Sequence, residues 1–149
     1  MSGQEAIILA APATVEQRKR QRNRLWIVKL HLSRGEGRNQ ITSSGSGYVS
    51  VNGTRYQTSV VVTPDSVSDW PVGGPSALSA ADIGALLEHT PEIALIGTGA
   101  RLQFPPAAVL RPLIDAGVGY EVMDTAAACR TYAILMAEGR RVVAALIVA

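Results

Sequence analysis

The chain has 149 residues, of which 47% are hydrophobic and 17% charged, a composition typical of one domain with a packed core. Aromatic residues make up only 5%, so aliphatic residues must fill that core. Cys129 is the single cysteine, which excludes an internal disulfide, and two histidines supply few ligands for a zinc site.

The apolar runs of the chain are too short to cross a bilayer. Residues 7–13 and 142–149 fall far below the ~20 residues that a membrane-spanning helix needs. The basic cluster follows the first apolar run, which is the reverse of the order in a secretory signal. We therefore expect a cytoplasmic protein without membrane insertion.

The positive charge is concentrated in the first 27 residues. This arm holds five basic residues against two acidic ones, a net charge of +3, whereas residues 28–149 hold nine against ten, a net charge of −1. Because its like charges repel and residues 18–24 offer no apolar face, we expect residues 1–27 to be disordered. The domain then spans residues 28–149 and has no electrostatic reason to bind a specific nucleic acid.

The first half of the domain is predicted to be β structure. Apolar and polar residues alternate from residue 28 to 32, the period of a half-buried strand. Residues 47–56 predict a β-hairpin, because Asn52-Gly53 accepts the positive φ angles of a type I′ turn. Residues 58–63 contain three successive valines, which indicate a strand buried on both faces.

A loop and a helix connect this region to the second half. Residues 64–77 contain three prolines and two glycines and predict a long loop, which Trp70 anchors to the body. Ser79 and Asp82 have the spacing of a helix N-cap, and apolar residues recur at helical spacing as far as residue 89.

Strands and helices alternate from residue 92 onward. Strands are predicted at residues 92–96, 118–123 and 140–148, and a helix at residues 125–138. Another helix begins near Pro106 and has an apolar face made of Val109, Leu110, Leu113 and Ile114. This alternation predicts an α/β fold with a sheet covered on both faces.

Five ordered motifs carry a family resemblance. They are TSVVV at residues 58–62, LIGTG at 95–99, GVGYEVMDT at 117–125, AACRTY at 127–132 and EGRRV at 138–142. In this order they resemble the small Mth-domain family of largely unknown function. That family includes the mitochondrial complex I assembly factor three and the adipogenesis-associated Mth-domain proteins.

The resemblance covers residues 28–148 and implies a three-layer α/β fold. Its mixed central sheet is flanked by helices, with an additional N-terminal β-hairpin. No enzyme activity or cofactor is implied, and an assembly role implies a protein partner. Ala133 stands where the family usually has asparagine. Since the arm has no family counterpart, we hypothesise that the natural chain starts at Val28.

A binding crevice is predicted at the carboxyl ends of two strands. In open α/β sheets, ligands bind there at the point where the strand order switches. If the strands at 92–96 and 118–123 are parallel neighbours, the loops after them share one crevice. Four residues are candidates to line it: Thr98, Arg101, Asp124 and Thr125.

These four residues have two interpretations. In the functional one, both threonines donate hydrogen bonds and Arg101 clamps a charged ligand. In the structural one, Gly97 and Gly99 form a turn, Asp124 or Thr125 caps a helix, and Arg101 is a solvated charge. We favour the structural interpretation, because every α/β fold needs caps and glycine turns.

The residues predict no catalytic constellation. The GTG at residues 97–99 is followed by neither a third glycine nor a lysine, so it matches neither a dinucleotide fingerprint nor a P-loop. Cys129 falls on the packed face of its helix without a histidine to activate it. Glu138 beside arginines is best explained as part of an ion pair. Asp65 and Asp69 flank a proline-rich loop and are candidates to bind a cation, although aspartate is also an ordinary turn residue.

The sequence therefore favours a non-enzymatic binding or assembly-factor-like protein, without cofactor or metal. It would act on an unidentified protein partner, and an exposed apolar patch near Trp70 or the hairpin would support this. The alternative is a small-molecule-binding protein or enzyme that uses the crevice, which a closed polar pocket with a shifted ionisable group would support. A third hypothesis is that the arm binds RNA or acidic lipid nonspecifically, and it predicts an affinity that falls as the salt concentration rises.

Overall fold

The structure, a computed structural model, describes residues 37–148. The predicted arm and the predicted strand at residues 28–32 lie outside them. The described strands are β1 (Ile41–Gly45), β2 (Tyr48–Val51), β3 (Thr54–Tyr56), β4 (Val60–Val62), β5 (Val67–Asp69), β6 (Ile93–Gly97), β7 (Gly119–Met123) and β8 (Val142–Leu146). The α-helices are α1 (Ala80–Gly84), α2 (Ala107–Asp115) and α3 (Thr125–Ala137), with 3-10 helices at Pro75–Ala77 and Ala85–His89.

The larger sheet has five strands in the order β5-β4-β8-β6-β7. Strand β6 pairs in parallel with both β7 and β8, whereas β4 runs antiparallel to β5 and β8. The sheet is therefore mixed, which confirms the architecture that the family resemblance implied.

Two hydrophobic cores lie on opposite faces of this sheet. Alternate residues of a strand point to opposite faces, and β8 accordingly places Val143 and Ala145 in one core and Val142 and Ala144 in the other. The first core also contains buried residues of α1 and α2, and the second contains residues of α3 and β2. The three-layer prediction is confirmed.

Strands β1, β2 and β3 form a separate antiparallel sheet. Asn52 and Gly53 have φ angles of 53° and 83°, as the predicted type I′ turn requires, and Val51 pairs with Thr54 across it. The sequence prediction did not include β1. Ile41 is its one large apolar residue, so no alternating pattern marks this strand.

The predicted loop at residues 64–77 is partly wrong, because it contains β5. This three-residue edge strand pairs with β4, and two of its residues are exposed, so it carries no periodic apolar signal. The predicted anchoring by Trp70 is confirmed. Its side chain is buried, and its Nε1–H donates to the carbonyl oxygen of Asp82 at 3.4 Å.

The capping box at the start of α1 is confirmed. The hydroxyl of Ser79 accepts from the Asp82 amide at 3.2 Å, and the Asp82 carboxylate accepts from the Ser79 amide at 2.9 Å. In α2, Leu110 and Leu113 are buried, but Ile114 is 41% exposed. The predicted apolar face was too wide, since the face that contacts the core ends before Ile114.

Candidate functional site

The carboxyl ends of β6 and β7 meet at one edge of the sheet. The two strands are parallel neighbours, with Gly97 paired to Met123. The helix after β6 contributes to one core and the helix after β7 to the other. This is the arrangement that makes a topological switch point, and it brings the loops of the four candidate residues together.

Backbone hydrogen bonds join the two loops directly. The amide of Thr98 donates to the carbonyl of Met123 at 2.9 Å, and the amide of Thr125 donates to the carbonyl of Gly99 at 2.9 Å. A Cβ atom on Gly97 would lie 2.9 Å from the Thr125 Oγ1 atom, a distance that forces displacement. The glycine therefore permits a close approach of the two loops at the switch point.

Both candidate threonines are buried and use their hydroxyls on the backbone. Thr98 Oγ1 donates to the carbonyl of Arg101 at 2.6 Å and accepts from the Gln103 amide at 3.1 Å. Thr125 Oγ1 accepts from the Gly99 amide at 2.8 Å and donates to the carbonyl of Ile147 at 2.7 Å. Each hydroxyl therefore shapes a loop, a role that sequence reasoning did not assign to either threonine.

Asp124 caps a helix, whereas the side chain of Arg101 is exposed to solvent. The carboxylate of Asp124 accepts from the Ala127 amide at 2.8 Å and caps α3. Arg101 is exposed, and its backbone carbonyl, bound by Thr98, fixes the loop. The structure therefore brings Asp124 and Thr125 to one cavity, whereas Thr98 and Arg101 do not line it.

That cavity, of about 260 Å³, lies beside the switch point. It is lined by Gly99, Ala100, the start of α3, the residues after β8, and the turn between β1 and β2. Sequence reasoning missed the contribution of this turn. A Cβ atom at Gly45 would lie 2.5 Å from the Tyr48 ring, so the glycine lets that ring lie against the turn.

Cys129 is a buried residue of α3 and belongs to the second core. Burial raises the pKa of its thiol from 9.0 to about 11, a change that a hydrogen bond with Ser44 partly opposes. A thiol is nucleophilic only when it is deprotonated. The environment of Cys129 therefore favours an inert core residue, in agreement with the sequence interpretation.

The raised pKa of Cys129 predicts a loss of stability in alkali. The folded state holds the proton more tightly than the unfolded state, so this contribution is complete below pH 9 and declines as the pH rises toward 11. Relative to a Cys129→Ala variant, the wild-type free energy of unfolding should fall by about 2 kcal/mol between pH 8 and pH 11. Urea denaturation of both proteins measures this difference, and an unchanged difference would contradict it.

Exposed apolar side chains occur in the loop between β6 and α2. Phe104 is 69% exposed and Leu102 is 51% exposed. The patch expected near Trp70 is not there, because Trp70 is buried. The hairpin was the other position expected for such a patch. There the guanidinium of Arg55 lies over the ring of Tyr48, with its carbon 3.8 Å from the ring centroid. The exposed apolar loop is a feature that sequence reasoning missed.

The other acidic residues considered in the sequence analysis lie at helix ends, in strands or in turns. Glu138 is the C-cap of α3, and its predicted ion pair is wrong, because among residues 37–148 Arg140 pairs with Glu92 instead, at 3.5 Å. Asp69 lies in β5, and Asp65 lies in the turn before it. Within residues 37–148, histidine, cysteine, aspartate and glutamate side chains do not gather in a group of three that could hold a metal. In the same part of the chain, no helix has the length and apolarity needed to cross a membrane.

A family model described as protein of unknown function (DUF498/DUF598) matches residues 41–147. Proteins named NADH dehydrogenase (ubiquinone) 1 alpha subcomplex assembly factor 3 from Danio rerio and Bos taurus are 37% and 38% identical to the chain over 99 and 106 residues. These matches cover 65% and 70% of this chain, but only 57% of each relative. The chain thus spans little more than half the length of these relatives.

Solved structures show the same similarity. A crystal structure from Bordetella parapertussis has 42% identity and a TM-score of 0.73, and the match covers 77% of this chain and 99% of that one. A Mth938-like domain from Bordetella pertussis has 37% identity and a TM-score of 0.68, covering 76% and 88%. From the match over residues 41–147 and these relatives, the chain belongs to the DUF498/DUF598 family of Mth938-like domains.

Proposed function

We propose that this chain is a non-enzymatic, assembly-factor-like protein that binds a protein partner through the loop holding Leu102 and Phe104. The relatives named as assembly factors align with most of the chain and support an assembly role. The observation that carries the proposal is the exposure of Phe104, 69% of whose surface faces solvent. We further propose that the protein acts in the cytoplasm.

The apolar loop is suited to binding because it is held in place. Thr98 bonds to Arg101 and Gln103, on both sides of Leu102, and prolines follow Phe104 at positions 105 and 106. A restrained loop loses little conformational entropy when a partner binds. An exposed aromatic side chain can become a binding hot spot when a partner excludes water from it.

The alternative function is small-molecule binding at the switch point. Its support is the cavity of about 260 Å³ beside Asp124 and Thr125. The hydroxyl of Thr125 and the carboxylate of Asp124 each hold backbone amides, which reduces what they can offer a ligand. Protein binding is therefore the better-supported proposal.

Replacing the two apolar loop residues should abolish partner binding without loss of fold. A Leu102→Ser/Phe104→Ser variant removes exposed side chains, so its stability should stay within about 0.5 kcal/mol of wild type. Affinity capture from native lysate, with protein and metabolite fractions both identified, should lose the protein partner of the wild type. If the role extends to NADH dehydrogenase assembly, that partner will be a subunit or assembly protein of that complex.

A matched control is Ile134→Ser on α3, where the native side chain is 60% exposed. This variant should capture the same partner as wild type. Capture by the double variant at the wild-type level would refute the role of the loop. Retention of a small molecule that an Asp124→Asn variant loses would favour the alternative function instead.

A further inference from the structure

A second cavity, of about 330 Å³, lies at the opposite end of the larger sheet. Its walls come from the turn between β4 and β5, the end of the 3-10 helix Ala85–His89, and the residues before β8. Binding pockets for small molecules have volumes from about 300 Å³ upward, so this one suits a small ligand.

Most of the charged residues that line this cavity are arginines. Arg38, Arg140 and Arg141 line it together with His89, whereas Asp65 is the single carboxylate that lines it within residues 37–148. Guanidinium groups donate paired hydrogen bonds that match phosphate oxygens in geometry. The composition of the cavity therefore favours an anionic ligand.

Contacts with Glu92 and Thr90 hold two of these arginines in place. Arg140 forms an ion pair with Glu92, whose Oε1 atom lies 3.5 Å from the arginine Nε. The same Oε1 accepts from the backbone amide of Arg141 at 3.1 Å. The Nε–H of Arg141 donates to the carbonyl of Thr90 at 3.2 Å, which orients the guanidinium through a neutral group.

Glu92 forms an ion pair with Arg140 and also attracts Arg141, so its charge offsets part of theirs. With Asp65 and Glu92 set against three arginines, a positive charge still remains at the cavity. Across residues 37–148, the ion pairs within 4.0 Å are Arg111–Asp115 and Arg140–Glu92, and they include neither Arg38 nor Arg141. A phosphate monoester carries a charge of about −1.5 to −2 near neutral pH, so it gains more from two or three arginines than a monovalent anion does.

We propose that this cavity binds the phosphate group of a small molecule, with Arg38 and Arg141 as the principal donors. Asp65 opposes binding, because its carboxylate repels the ligand. This site is independent of the apolar loop, since it lies at the amino ends of β6 and β8.

The test is a titration of the full 15N-labelled chain with inorganic phosphate, followed by amide NMR and compared with chloride and acetate at equal ionic strength. Phosphate should give saturable shifts at Thr63, Thr90 and Arg141, while chloride and acetate should not. Arg38→Gln and Arg141→Gln should each weaken phosphate binding about tenfold, because each loses a charge-assisted contact.

Two further variants separate a built site from general charge effects. Arg111→Gln makes the same charge change at an exposed position of α2 and should leave phosphate binding unchanged. Asp65→Asn removes the repelling carboxylate and should strengthen binding severalfold. Equal shifts with chloride or acetate, equal weakening by Arg111→Gln, or no gain from Asp65→Asn would overturn the proposal.

Discussion

Thr125→Val should lower the free energy of unfolding by about 2–4 kcal/mol, although valine has nearly the same shape as threonine. The lost hydroxyl accepts from the Gly99 amide and donates to the Ile147 carbonyl, and both bonds are buried. A buried donor or acceptor left without a partner costs about 1–3 kcal/mol. Urea denaturation followed by circular dichroism measures the change.

Thr125→Ser is the matched control, because serine keeps the hydroxyl and loses one methyl group. It should destabilise the protein by about 1 kcal/mol, far less than valine does. If the two variants lower the free energy of unfolding equally, the hydroxyl does not hold the loops together. Thr125 would then again be a candidate to donate a hydrogen bond to a ligand. The pair of variants therefore distinguishes a structural threonine from a binding one.

Tyr132→Ala should destabilise the fold by about 3–5 kcal/mol, the cost of removing a fully buried aromatic ring. The ring lies in the core between α3 and the larger sheet, and its hydroxyl donates to the carbonyl of Asn39 at 2.8 Å. Asn39 in turn donates to the Thr63 carbonyl at 3.0 Å and accepts from Asn52 at 2.8 Å. Thermal and urea denaturation report the loss.

Tyr132→Phe removes only the hydroxyl and should cost about 1–2 kcal/mol. Ile134→Ala, two residues along the same helix, should change stability by less than about 0.5 kcal/mol because this side chain is exposed. Equal losses for the phenylalanine and alanine variants would show that the hydrogen bond, and not ring packing, carries the stability.

Much of the fold could be predicted from local patterns. The Asn52-Gly53 turn, the capping box at Ser79 and the strand–helix alternation after residue 92 each depend on neighbouring residues, and all appear in the structure. Strands β1 and β5 could not be predicted in this way. Their residues are mostly polar or exposed, and pairing with β2 and β4 defines them as strands.

The candidate site was predictable in position but not in detail. The parallel neighbours β6 and β7 follow from the alternation of strands and helices, and Asp124 has the side chain and position of a cap. The hydrogen bonds of Thr125 to Gly99 and Ile147 join segments more than 20 residues apart. No local sequence pattern predicts such a contact or the exposure of Phe104.

The position of β8 within the larger sheet has a consequence for how this domain is made. It lies between β4 and β6, although it follows every other described strand in the chain. Before residues 142–146 leave the ribosome, β4 with β5 and β6 with β7 are two fragments whose inner edges lack their partner. Pairing over such long sequence separations closes slowly, and open strand edges promote association with other chains. During synthesis, the unfinished chain is therefore exposed to aggregation until its last central strand is inserted.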